Sequence, residues 1–202
     1  MAMLSALRRT VVAAALTVGI ASTVQAPAQA DPFMPIDWKV DATTTMKSLK
    51  QTVVVPTGSF KGQVDLETMA LSGDMKLPQA TKRLDIGALP VANVTFAMEQ
   101  AAPVTGQVDL ASMTATTTAK FNVRLVSVRP VLTPWVNLVG NNCRTATPVT
   151  TTLGGPLNLV DKTTFSGTYA LPKFTGCGLF VTPMINAIVP GPGNTFSATF
   201  YP

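Results

Sequence analysis

The chain has 202 residues, 47% of them apolar, 12% charged and 6% aromatic, with 15 basic and 10 acidic side chains, two cysteines and no histidine. A mean hydropathy of +0.32 with so little charge excludes a disordered tail. Without histidine there is no Ser-His-Asp or Cys-His centre, no His-ligated zinc and no histidine-held haem.

Residues 1–30 have the three regions of a secretory signal. Arg8 and Arg9 make the positive region, and residues 11–21 form an apolar run too short to span a bilayer. Ala28-Gln29-Ala30 supplies small residues for cleavage after Ala30. The flanks of Arg8-Arg9 favour the general secretory route over a twin-arginine one, and no cysteine follows the apolar run to take a lipid anchor. Cleavage leaves residues 31–202, expected to form a single all-β domain, with a two-lobe split near 130–145 as the alternative. Loss of the two arginines lowers the formal charge from +5 to +3. The expected destination is extracellular or the cell envelope, with no integral membrane segment after cleavage.

Beyond residue 31, threonine occurs 26 times and prolines recur at short intervals, which suits pleated strands and forbids long helices. Residues 60–66 alternate: Phe60, Val64 and Leu66 lie on one side with Gly62, and Lys61, Gln63 and Asp65 on the other. Residues 69–77 repeat the alternation, and Glu67-Thr68 between them completes a hairpin. Val94, Phe96 and Met98 alternate with polar neighbours. In residues 113–125, Ala115, Ala119, Phe121, Val123 and Leu125 oppose threonines, Lys120, Asn122 and Arg124. That segment is long for one strand, so a bend or bulge is expected in it.

Gly62-Gln63-Val64-Asp65-Leu66 recurs as Gly106-Gln107-Val108-Asp109-Leu110, each followed by a methionine three residues on. Gly155-Pro156-Leu157-Asn158-Leu159 is a weaker third copy. Three related hairpins, each with one apolar face, predict an antiparallel β-sandwich or strongly curved sheet. Cys143 and Cys177 are expected to form one disulfide in an oxidising compartment. It closes a loop of about 35 residues, worth about 3.8 kcal/mol in the chain-entropy model. Phe165, Tyr169 and Leu171 mark a further strand, and Phe196, Ala198 and Phe200 the last.

Residues 179–189 break the pattern. They are almost wholly apolar, with Pro183 placed for the first turn of a short helix. Two readings stand: a buried turn of helix capping the sheets, or a lid over an apolar cavity. The second makes Leu179, Phe180, Met184, Ile185 and Ile188 candidate lining for an apolar ligand.

Chemical centres are scarce. Asp65 and Asp109 invite comparison with glycosidase carboxylates, which stand roughly 5–10 Å apart with one pKa raised. Both fall on polar strand faces beside turns, where a solvated carboxylate setting hairpin register is the expected role. Asp37 and Asp41 are too sparse for a calcium loop, no phosphate-binding loop or dinucleotide glycine pattern occurs, and no metal or cofactor is expected. Nucleic acid is not an expected partner, since Lys82-Arg83 is the one adjacent basic pair beyond residue 30. Trp38 and Trp135 could stack on sugars, but serve equally as core or rim residues.

The alanine-rich leader, the Gly-x-Val-Asp-Leu hairpins, Asn142-Cys143, the run Leu171-Pro172-Lys173-Phe174-Thr175-Gly176-Cys177-Gly178, and Gly191-Pro192-Gly193-Asn194 together resemble an uncharacterised family of exported, β-rich actinobacterial proteins. The resemblance implies export and a β fold, and no activity or catalytic residue. The expectation is therefore a non-enzymatic exported protein, a binding or envelope-associated module whose sheet interior holds a lipid or other apolar ligand. The alternatives are a structural surface protein making protein or wall contacts, an outer-envelope pore, and a hydrolase built on Asp65 and Asp109.

Overall fold

The computed structural model describes residues 32–86, 89–158 and 160–202. The expected leader and its cleavage position at Ala30 lie outside the described residues. Asp31–Pro202 form one compact unit, built in chain order from β1 (Phe33–Met46), β2 (Gln51–Asp65), β3 (Ala70–Lys76), β4 (Ala80–Ile86), β5 (Leu89–Asp109), β6 (Thr114–Pro130), β7 (Arg144–Thr145), β8 (Val149–Pro156), β9 (Thr163–Leu171), β10 (Phe174–Thr175), α1 (Val181–Ile188) and β11 (Gly191–Tyr201).

The mostly-β expectation holds, but the sandwich does not: the sheet closes. Eight strands follow one another around a ring, β1-β2-β3-β5-β6-β8-β9-β11, and β11 returns to β1. The joining pair runs antiparallel from Lys39↔Tyr201 to Thr45↔Thr195. Alternation of apolar and polar residues looks the same in a sandwich and in an up-and-down barrel. What separates them is a pairing between strands some 150 residues apart, which no local pattern records. β1 does alternate, with Ile36, Val40 and Ala42 buried and Asp37 and Asp41 outward.

The strands are longer than their prolines suggest, in part because Pro56 and Pro103 sit at bulges. Pro56 and Thr57 lie where β2 carries extra length against β1, between the pairs Val40↔Gly58 and Ala42↔Val55. Pro103 lies in a similar irregularity of β5 against β6, between Ala102↔Lys120 and Thr105↔Thr118. A bulge leaves a backbone position unpaired, which is where a residue lacking N–H does least harm, and it adds the twist that lets a sheet curl shut. The bend expected within residues 113–125 is shared with the partner strand, and β6 itself carries a further bulge at Val126, between Leu125 and Ser127.

The three repeated sequences form the turns β2–β3, β5–β6 and β8–β9, all at one end of the barrel. In each, the side-chain oxygen of the repeated acid or amide organises the turn. Asp65 accepts from the N–H of Glu67 at 2.9 Å and the hydroxyl of Thr68 at 2.8 Å. Asp109 does the same with Ala111 and Ser112, at 2.9 and 2.8 Å. Asn158 accepts from the N–H of Val160 and Asp161. Met69 and Met113 adopt positive φ (56° and 50°), and their carbonyls accept the N–H of Val108 and Leu157, so each turn is tied to the next copy. The glycines that open the first two copies are required by close approach: a Cβ on Gly62 or Gly106 would run into the carbonyl of Ser72 or Thr116 on the partner strand.

From this turn end to the waist, the barrel is filled. Phe200 sits 5.7 Å from Phe60 and 5.6 Å from Phe165, centroid to centroid. Phe121 meets Phe196 and Tyr169 above them, each at 6.0 Å.

Candidate ligand cavity

At the opposite end the wall changes hands. β5 pairs with β3 through Val104–Gln107, but with β4 through Leu89–Phe96. β6 likewise pairs with β8 through Thr114–Phe121 and meets β7 only at Arg124. The β5–β6 hairpin therefore runs past the ring, carrying β4 on one side and β7 with β10 on the other, and α1 covers the space between. Beneath α1 lies a cavity of about 320 Å3.

Its walls are apolar. Met46 and Val53 come from β1 and β2, Leu84 from β4, Val94, Phe96 and Met98 from β5, Val123, Leu125 and Val128 from β6, and Leu171 and Phe174 from β9 and β10. Its floor is Tyr169 with Thr44 beside it. The Thr44 hydroxyl donates to the carbonyl of Thr195, and the Tyr169 hydroxyl, 2.7 Å away, donates to Thr44. Burial pushes the Tyr169 phenol above its ordinary value, against the opposing pull of this hydrogen bond, so the floor is uncharged at neutral pH.

The roof is the 179–189 stretch. Val181, Met184, Ile185 and Ile188 recur at helical spacing, and this stripe faces the cavity together with Val189. No residue of α1 is fully buried; Val181 and Ile185 pack against the edge of the core, and Met184 and Ile188 reach over the cavity half-exposed. Pro183 occupies the first turn, as expected. Of the five lining candidates, Met184, Ile185 and Ile188 face the cavity. Leu179 and Phe180 precede the helix and point away, 86% and 80% exposed.

Three ties hold this roof. The Cys143–Cys177 disulfide pins the approach to α1 against the segment following β6. The Asn186 amide bonds both backbone groups of Phe174, at 2.6 and 2.9 Å. The Ser48 hydroxyl donates to the carbonyl of Val189 at 2.9 Å, joining the far end of the helix to the β1–β2 turn.

Two charged side chains of β4, Lys82 and Asp85, line the cavity. The pair Lys82-Arg83 is split by the strand period: Arg83 faces outward and pairs with Asp85 at 3.0 Å, whereas Lys82 lines the cavity. No described residue pairs with its ammonium. The signal was available in the alternation of Ala80, Lys82 and Leu84, which share one face of β4.

The other chemical candidates lie elsewhere. Asp65 and Asp109 are at the turn end, and the hydrogen bonds from Thr68 and Ser112 hold their carboxyls below the usual range. Among the described residues there is no group of three His, Cys, Asp or Glu side chains fit to hold a metal, and no helix long and apolar enough to cross a membrane. Trp38 packs 6.5 Å from Phe200, while Trp135 is exposed. In comparison with known proteins, no family model, no curated protein and no solved structure matches the chain.

Proposed function

We propose that this protein is a non-enzymatic carrier or binding module that holds one amphipathic ligand, with its acyl chain under α1 and an anionic head group beside Lys82. The observation that carries this reading is the roofed cavity of about 320 Å3 at the end of an otherwise filled barrel, a size at the lower end of the roughly 300–1,000 Å3 of small-molecule sites. A structural protein needs no such space, and an unfilled interior forfeits packing energy. A pore reading has the wrong polarity. Transmembrane barrels are apolar outside and polar inside, whereas here Thr150, Thr152, Thr164 and Thr168 point outward and Phe60, Phe121, Phe165, Phe196 and Phe200 inward. A hydrolase reading lacks a raised carboxyl, since both aspartates are shifted the other way. An exported or envelope location, in keeping with the disulfide and with the actinobacterial resemblance, would put the carrier among lipids.

The test is native mass spectrometry and fluorescence titration with a long-chain fatty acid. A one-to-one complex is expected, lost in Val94→Trp and Leu125→Trp, which fill the cavity. Lys82→Gln is expected to weaken fatty-acid binding about tenfold, the loss of one charge-assisted contact, and to leave an uncharged acylglycerol unaffected. A protein that takes up neither lipid at any concentration removes the reading.

A further inference from the structure

Large exposed apolar side chains gather around the cavity mouth. Leu89 opens β5, Leu132 and Trp135 stand on the segment after β6, Leu179 and Phe180 ahead of α1, and Met184 on it, with Leu132 the most exposed of these at 90%. These segments frame the opening: Leu138 and Val91 from two of them line the cavity, and the N–H of Val131 bonds the carbonyl of Val91. Isolated exposed leucines need no explanation, but a cluster around a concave site does.

The charge is sorted along the same axis. Lys47, Lys50, Arg83, Arg129, Arg144 and Lys173 are all exposed at the mouth end, where the acids Asp85 and Glu99 are already paired, with Arg83 and Arg124. The repeated turns at the other end carry Asp65, Glu67, Asp109 and Asp161 against Lys162. A net charge of only a few units thus conceals a molecule that is positive at one pole and negative at the other.

We infer that the mouth end docks on the surface of an anionic lipid bilayer. Apolar side chains that insert among acyl chains and cations that sit at the phosphate level are the two ingredients of interfacial binding, and a tryptophan at the boundary suits its half-polar ring. The field of the whole molecule turns the mouth toward a negative surface before contact. Docked in this way, the cavity opens onto the lipid, so a ligand passes between membrane and barrel without crossing water. That last step rests on the carrier reading, whereas docking itself does not.

The experiment is vesicle flotation of the purified protein with phosphatidylglycerol–phosphatidylcholine vesicles and with phosphatidylcholine alone, at low and high salt. Binding is expected only to the anionic vesicles, and salt is expected to weaken it. Lys47→Glu with Lys50→Glu should weaken it more than about tenfold. Leu132→Ser with Phe180→Ser should abolish it while fatty-acid binding in solution persists, showing that the variant is folded. Vesicle binding without fatty-acid uptake supports docking and removes the carrier reading alone. Failure to float with anionic vesicles, equal flotation of the variants, or a dimer held together by Leu132 and Phe180 each overturns the docking surface.

Discussion

Asp65 and Asp109 illustrate how a repeated residue earns its place without catalysis. Each carboxylate gathers two backbone N–H groups and one hydroxyl of its own turn, and ionised acceptors make the stronger hydrogen bonds. Hydrogen bonding lowers both pKa values from 3.8. A folded value below the unfolded one contributes stability above the unfolded pKa, lost as pH falls through the folded value. The melting temperature of the wild type is therefore expected to drop as pH falls below about 4. In Asp65→Asn/Asp109→Asn that part of the decline should be missing, since the amide keeps the turn geometry of Asn158 but does not titrate. Thermal scans of both proteins across the acid range check this. The role of these aspartates was legible in the sequence; the left-handed methionines beside them were not. Met69 falls on the apolar side of the alternating run 69–77, and nothing about methionine announces a positive φ.

At the level of elements, legibility followed the period of two. β2, β3, β9 and β11 are visible as alternating runs, and β1 is equally visible in Ile36, Val40 and Ala42 once its aspartates are taken as the outer face. β5 is different. Its 21 residues exchange partners midway and contain Pro103, so no single alternation spans it. The cavity was legible only as its roof, because an apolar helix over a cavity and one over a core have the same composition; the walls come from seven strands. The disulfide joins that roof to the segment after β6. Replacing it by Cys143→Ala/Cys177→Ala is expected to cost about 3.8 kcal/mol on the chain-entropy model, measured from denaturant midpoints. Hydrogen exchange should rise more over residues 177–189 than in β1 or β2, since Asn186 and Ser48 then hold the helix alone.

For the molecule as a whole, the decisive contact is the one between β1 and β11. Every other neighbour in the ring follows in chain order, with β4, β7, β10 and α1 as insertions at the mouth, so a meander of hairpins could equally have folded over as two layers. The one-sided apolar pattern was read correctly and still could not choose, because closure is a property of two distant segments. A chain stopped after Pro190 lacks β11, leaving β1 and β9 with open edges and exposing Phe60, Phe121 and Phe165. It is expected to be digested rapidly by a protease to which the intact protein is resistant, and limited proteolysis of the two checks this.

The position of that closing strand has a consequence for how the protein is made. A polypeptide made from its amino end can build hairpin after hairpin as it emerges from the ribosome. Yet it cannot shut its ring until Gly191–Tyr201 is through. Topology alone thus postpones closure until β11 has been added, however early the hairpins form.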